Sequence, residues 1–174
     1  MATLRDIRRK IGSINSTQTI TRTMKMVSAS KLKRAQDELD KIKEYALKIE
    51  ELVGRVIAKV PEDIHPLLIE REEIKNVLIV SIASDRGLCG AFNINIGLHA
   101  QNFIVQNKAQ YERMAVYLFG RKLKDYLLRR KVEIVKDWVD IKKVDQEFVD
   151  TMASEIIQLY TEGTFDKVYL SYTH

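Results

Sequence analysis

Along the first sixty residues, apolar side chains recur at alternating spacings of three and four. They are Leu4, Ile7, Ile11 and Ile14, then Leu32, Ala35, Leu39, Ile42, Ala46, Ile49, Val53, Val56 and Val60. That is the period of a coiled-coil seam. Between the two runs the same register passes through Gln18, Thr21, Lys25 and Ser28, all polar, while Ile20, Met24 and Val27 lie on a neighbouring stripe. Either the apolar stripe rotates around the helix here, or this section meets a polar partner; a local stutter without function is the plain alternative. Thr3 and Asp6 suit a capping box, and no proline interrupts before Pro61. A helix from Thr3 to Val60 would be roughly 85 Å long at about 1.5 Å per residue, longer than a compact domain of this size is wide, so it is expected to project. One helix cannot bury its own seam. At about 25 cal/mol per Å² the seam is worth several kcal/mol that only a second helix recovers, and the rest of the chain supplies none of that length.

Residues 61–73 read as a polar connector with Pro61 and His65-Pro66, and residues 74–174 as an α/β domain. The β-branched run Val77 to Ala83 predicts a strand covered on both faces. Helical spacing follows over Asn93 to Gln106, with Ile94, Leu98, Phe103 and Val105 among its apolar positions. A second strand is expected over Met114 to Phe119, a short helix over Lys122 to Arg130 with Leu123, Tyr126 and Leu127 inward, and a third strand over Val132 to Val135. A helix on Phe148, Met152, Ile156 and Leu159 spans Asp145 to Glu162, and a fourth strand Lys167 to Tyr172. Alternation of strand and helix implies right-handed crossovers and a mainly parallel, Rossmann-like sheet. A doubly wound sheet rarely finishes on a buried strand, so the end at His174 is expected to be a truncation, with a further strand, a covering helix and the seam's partner missing.

Composition narrows the class. Of 174 residues, 45% are hydrophobic and 30% charged, which suits a packed core and leaves no apolar run able to span a bilayer. The opening residues do not read like a signal peptide, and no internal disulfide framework is expected, since Cys89 is the single cysteine. The net charge is +5, but residues 1–36 carry +8 and the remainder −3. A basic segment of this kind suits an acidic partner, the ordinary alternative being a solvated helix face.

The turn Ser84-Asp85-Arg86-Gly87-Leu88-Cys89-Gly90-Ala91-Phe92-Asn93 stands where doubly wound folds bind phosphate. Its Gly-x-x-Gly spacing lacks the third glycine of a dinucleotide fingerprint and the Gly-Lys-Ser/Thr of a P-loop, so a tight turn or a protein contact is the better reading. A nucleophilic Cys89 would need a base from His65, His99 or His174; a satisfied or exposed His99 is favoured. No metal-ligand spacing appears. Nucleic-acid reading is disfavoured, because no aromatic precedes Tyr45 and Ile7, Ile11 and Ile14 run through the would-be basic region. Catalytic, cofactor and metal residues are therefore assigned to none.

Two stretches carry a resemblance. Leu4-Arg5-Asp6-Ile7-Arg8-Arg9-Lys10-Ile11 through Thr17-Gln18-Thr19-Ile20-Thr21, Met24-Lys25-Met26-Val27 and Ser30-Lys31-Leu32, with Ser84 to Gly90, resemble the gamma-subunit family of the rotary ATP synthase. The likeness runs in order over the whole chain. It implies a non-catalytic shaft in which N- and C-terminal helices form an antiparallel coiled coil, with the α/β domain as its foot. Such a shaft couples rotation of a c-subunit ring to conformational change in catalytic beta subunits. The implied partners are the alpha and beta subunits, the epsilon subunit and the c ring. The implied place is the cytoplasmic face of a bacterial plasma membrane, peripherally bound. Carried over by position, the partner interface is Gln18, Thr21, Arg22, Met24, Lys25 and Ser28, the positive stripe continuing through Lys31, Lys33 and Arg34, with Arg86 and Cys89 in the foot turn. The seam is Leu4, Ile7, Ile11, Ile14, Leu32, Leu39, Ile42, Ile49, Val53 and Val56. The family's second shaft helix is not in the chain, so its exposed seam is expected to pair with that missing helix or with another copy. A small nucleotide-binding α/β enzyme and a basic coiled-coil nucleic-acid binder are the competing readings.

Overall fold

The structure, a computed structural model, describes residues 3–61, 64–69 and 71–173. His174, which bears on both the expected truncation and the candidate bases, lies outside the described residues, as do 62, 63 and 70 of the connector. Contacts divide the chain into two units, Met1–Pro61 and Glu62–His174.

The first unit is a single α-helix, α1 (Leu4–Ile57). Its capping box is made: the Asp6 amide donates to Thr3 Oγ1 at 3.3 Å, and the Thr3 amide donates to Asp6 Oδ2 at 3.0 Å. The Thr3 hydroxyl and amide hold the Asp6 carboxyl below its ordinary value. At the other end the helix stops at Ile57, three residues before the expected Val60, because the Lys59 and Val60 amides turn back to the Val56 and Ile57 carbonyls. No α1 residue is buried.

The second unit runs β1 (Asn76–Ile82), α2 (Phe92–Asn107), β2 (Arg113–Phe119), α3 (Arg121–Leu128), β3 (Ile134–Trp138), α4 (Gln146–Thr161) and β4 (Lys167–Ser171). The four strands form one parallel sheet in the order β3-β2-β1-β4. Alternate residues of the central strands feed two cores. Val77, Ile79, Val116 and Leu118 meet Ile96 of α2 and Leu123 and Leu127 of α3 on one face. Leu78, Val80, Ala115, Tyr117 and Phe119 meet Phe148, Met152, Ile156 and Leu159 of α4 on the other. Each fully buried aliphatic side chain contributes about 1.5–3 kcal/mol.

Three expectations need correction. β3 lies at 134–138 rather than 132–135: the register shifts between Val116 and Tyr117, and the strand continues through Lys136 and Asp137. An edge strand is half solvated, so its later residues are polar and the apolar run understates it. In α2 the buried positions are Asn93, Ile96, Gly97 and Ala100, whereas Ile94, Leu98 and Val105 are exposed. A tyrosine ring on α3 explains the choice: a β-carbon at Gly97 would stand 2.4 Å from Tyr126, so only glycine lets the helices approach. β4 is not a buried strand; it pairs with β1 alone, and Leu170 on it is exposed. Among the described residues no helix is long and apolar enough to cross a membrane.

Candidate partner interface

Every expected seam residue, from Leu4, Ile7, Ile11 and Ile14 through Leu32, Leu39, Ile42, Ile49, Val53 and Val56, is exposed, Leu4 most at 70% and Ile49 least at 42%. Such a stripe on an unbroken helix is apolar area that water covers at a cost. The helix carries its charges asymmetrically as well. No carboxylate stands between Asp6 and Asp37, while Arg8, Arg9, Lys10, Arg22, Lys25, Lys31, Lys33 and Arg34 all do. Its ion pairs, Lys48–Glu44 and Arg55–Glu51, fall in the later part.

Helical geometry sorts the interface residues read from the sequence. At about 100° per residue, Gln18, Thr21, Lys25 and Ser28 lie within about 40° of the seam direction set by Ile14 and Leu32. Ser13, Ile14, Thr17, Gln18, Thr21, Arg22 and Lys25 line one shallow groove on this face. Met24 and Lys31 turn about 80–100° to one side, Arg22 and Lys33 about as far to the other, and Arg34 points nearly opposite. The cations therefore do not form a single stripe; they ring the helix. Threonine hydroxyls in this section are spent internally. Those of Thr17, Thr19, Thr21 and Thr23 donate to the carbonyls of Ser13, Asn15, Thr17 and Thr19 at 2.9, 3.0, 2.8 and 3.0 Å. What remains outward is threonine methyl groups, the Asn15 and Gln18 amides, the Ser28 hydroxyl and cationic side chains, with the exposed Ile20, Met24 and Val27 beside them.

The turn between β1 and α2 is organised by a residue that the sequence reading passed over. Asn93, buried in the first turn of α2, accepts from the Ser84 amide at 2.9 Å and the Ser84 hydroxyl at 3.0 Å. Its Nδ2 donates to the Arg86 carbonyl at 3.1 Å and approaches Cys89 Sγ at 3.1 Å. Asp85 fastens the turn to the next crossover by accepting from the Arg121 amide at 2.9 Å. Asparagine at this place has a local signal: its side chain mimics backbone and closes turns. The frame leaves Arg86, Leu88 and Cys89 exposed, with Leu88 in the left-handed region at φ 63°. The turn thus presents an exposed cation, an aliphatic side chain and a thiol on a hydrogen-bonded base.

The other candidate chemistry disperses. His99 Nδ1 lies 3.2 Å from Ser171 Oγ on β4, so it is satisfied away from Cys89, and His65 Nδ1 accepts from the Leu67 amide at 3.2 Å. Among the described residues no group of three histidine, cysteine or carboxylate side chains could hold a metal ion. A polar clasp ties α4 to the sheet: Trp138 Nε1 donates to Tyr117 Oη at 2.6 Å, and Tyr117 donates to Glu155 at 2.7 Å, which Lys136 also pairs. Burial, and then the Glu155 carboxylate, push the Tyr117 phenol far up from its ordinary value.

Comparison with known proteins matches this arrangement. A gamma chain of the ATP synthase from Anaeromyxobacter sp. is 43% identical over 99% of this chain and 60% of its own length. That of Chloroherpeton thalassium is 42% identical over 99% and 58%, and that of Bdellovibrio bacteriovorus 40% over 97% and 57%. The chain thus spans about three fifths of the length of the curated relatives it matches. Among solved structures, a chain from the central stalk and c-ring part of the Tetrahymena thermophila mitochondrial ATP synthase, determined by cryo-electron microscopy, superposes with a TM-score of 0.63. It is 28% identical, over 89% of this chain and 65% of that one. With the family model described as ATP synthase covering residues 3–174, the chain belongs to the ATP synthase family, and the three curated relatives named above are gamma chains.

Proposed function

We propose that this chain forms the N-terminal helix and foot of a central rotor shaft, coupling rotation of a c-subunit ring to conformational change in catalytic beta subunits. The observation that carries the reading is α1: 54 residues of unbroken helix, an apolar seam, and no buried residue. A helix that long and that exposed is half of something, and an antiparallel second helix completes it. The chain supplies no catalytic group; chemistry belongs to the ring of alpha and beta subunits, and the shaft acts by contacting their conformations unequally. Its cations turned away from the seam, Arg22, Lys31, Lys33 and Arg34, are attracted to acidic levers of the beta subunits without an apolar lock, which suits a surface that turns past them. Gln18, Thr21 and Ser28 belong to the same section. The foot turn, through Arg86 and Cys89, meets the base of that ring, and the α/β unit lies toward the epsilon subunit and c ring, peripheral to the inner face of a bacterial membrane.

Co-expression tests this directly. The chain, supplied with the part of the Anaeromyxobacter sp. gamma chain that it does not cover, should co-purify with alpha and beta subunits as one stoichiometric complex. Alpha and beta assembling while the supplemented chain stays unbound would contradict the reading.

A further inference from the structure

The polar section of the α1 seam has a definite direction. α1 runs from Leu4 to Ile57 without a break, so no backbone irregularity turns its faces in the middle. Ile14 and Leu32 point the same way, and Lys25, at about 100° per residue, lies within about 20° of both. Whatever helix covers Ile14 and Leu32 also covers Lys25. Its neighbours in the register cannot answer its charge: Thr21 donates its hydroxyl to the Thr17 carbonyl, and Gln18 and Ser28 are neutral. Nor can its own helix, in which no acid stands within one turn of Lys25.

We propose that the helix covering this seam presents a carboxylate opposite Lys25, and that this enclosed pair sets the register of the coil. The inference rests on reading α1 as half of a shaft. An ammonium enclosed between two helices without a counter-charge is strongly unfavourable, even beside neutral polar groups, and a charged seam position is a way of fixing alignment. Sliding by one heptad would part Lys25 from that carboxylate and leave both charges enclosed without a partner. The occupant is a companion helix with an acidic seam position. A parallel second copy of this chain is excluded by charge, since it would set Lys25 on Lys25 within two stretches that hold only cations.

The test is thermal unfolding, followed by far-ultraviolet circular dichroism at low and high salt, of this chain paired with the part of the Anaeromyxobacter sp. gamma chain that it does not cover. Because an enclosed pair is weakly screened, Lys25→Met should lower the melting temperature by about 5 °C at low salt and by about as much at high salt, and Lys25→Glu should lower it further. Lys31→Met, about 100° away, should change neither. Exchanging the facing carboxylate for lysine should rescue Lys25→Glu. A Lys25→Met pair as stable as the parent, or more so, would overturn the proposal alone. Failure of the parent pair to associate would overturn the shaft reading and this proposal with it. A Lys25-dependent dimer of the chain by itself would make a staggered second copy the occupant and overturn it too.

Discussion

Asn93 shows how one side chain holds a functional turn. It answers both the amide and the hydroxyl of Ser84 and caps the Arg86 carbonyl, so Asn93→Ala leaves the part-buried Ser84 amide without its partner, while the Ser84 hydroxyl keeps its bond to the Arg86 carbonyl. A loss of about 2 kcal/mol is expected, with hydrogen exchange at the Ser84 amide rising first. Gly120 is as constrained. Its φ is +101°, and a β-carbon there would stand 2.7 Å from the Ala83 carbonyl oxygen, which is backbone and cannot move aside. Gly120→Ala should cost about 3 kcal/mol by chemical denaturation. Asp166 gives a pH signature. Burial pushes its pKa up, but the amides of Asn76 and Lys75, the Asn76 side chain and the Arg71 charge outweigh that and hold it below the ordinary 3.8. A carboxyl more acidic when folded contributes stability that is complete above its unfolded value and is lost as pH falls through the lower folded one. Asp166→Ala should therefore flatten the loss of stability below about pH 4, measured by urea unfolding across pH.

At the scale of elements, α4 is held by polar contacts as well as apolar ones. It buries no residue completely, and the Tyr117–Glu155–Lys136 clasp fixes it against β2 and β3. Glu155→Ala should raise hydrogen exchange along α4 and lower stability by about 1–3 kcal/mol, leaving exchange in β1 unchanged. The same clasp explains what the sequence hides. Val77 to Val80 and Met114 to Phe119 announce their strands, because central parallel strands are apolar on both faces. Lys136 and Asp137 look like loop, because an edge strand's outer residues meet water and charged partners, although Trp138 beyond them packs against Phe148. Amphipathic spacing in α2 misleads for a related reason: Gly97, not an apolar residue, marks its closest approach to α3. In α1 the periodicity is legible in the two apolar runs on either side of the polar section from Gln18 to Ser28. Direction around the helix is not, until the angular positions of Met24, Lys31 and Arg34 separate them from Lys25.

The whole molecule joins two kinds of unit with different debts to their surroundings. The α/β unit closes its own two cores, so a double change in the seam, Leu39→Asp with Ile42→Asp, should leave its tyrosine and tryptophan fluorescence unfolding transition in place. The same change should abolish pairing of α1 with a companion helix, since two carboxylates would enter the coil at neighbouring seam positions. The family is written in the motifs of α1 and the turn after β1. The role of each cation is not, because attraction to a partner leaves no mark within the chain. Rotation decides the matter. With the chain completed by the uncovered part of a gamma chain, assembled with alpha and beta subunits fixed to a surface, a particle attached to the foot should turn in one direction when ATP is added. ATP hydrolysis at full rate with the particle stationary would contradict the account.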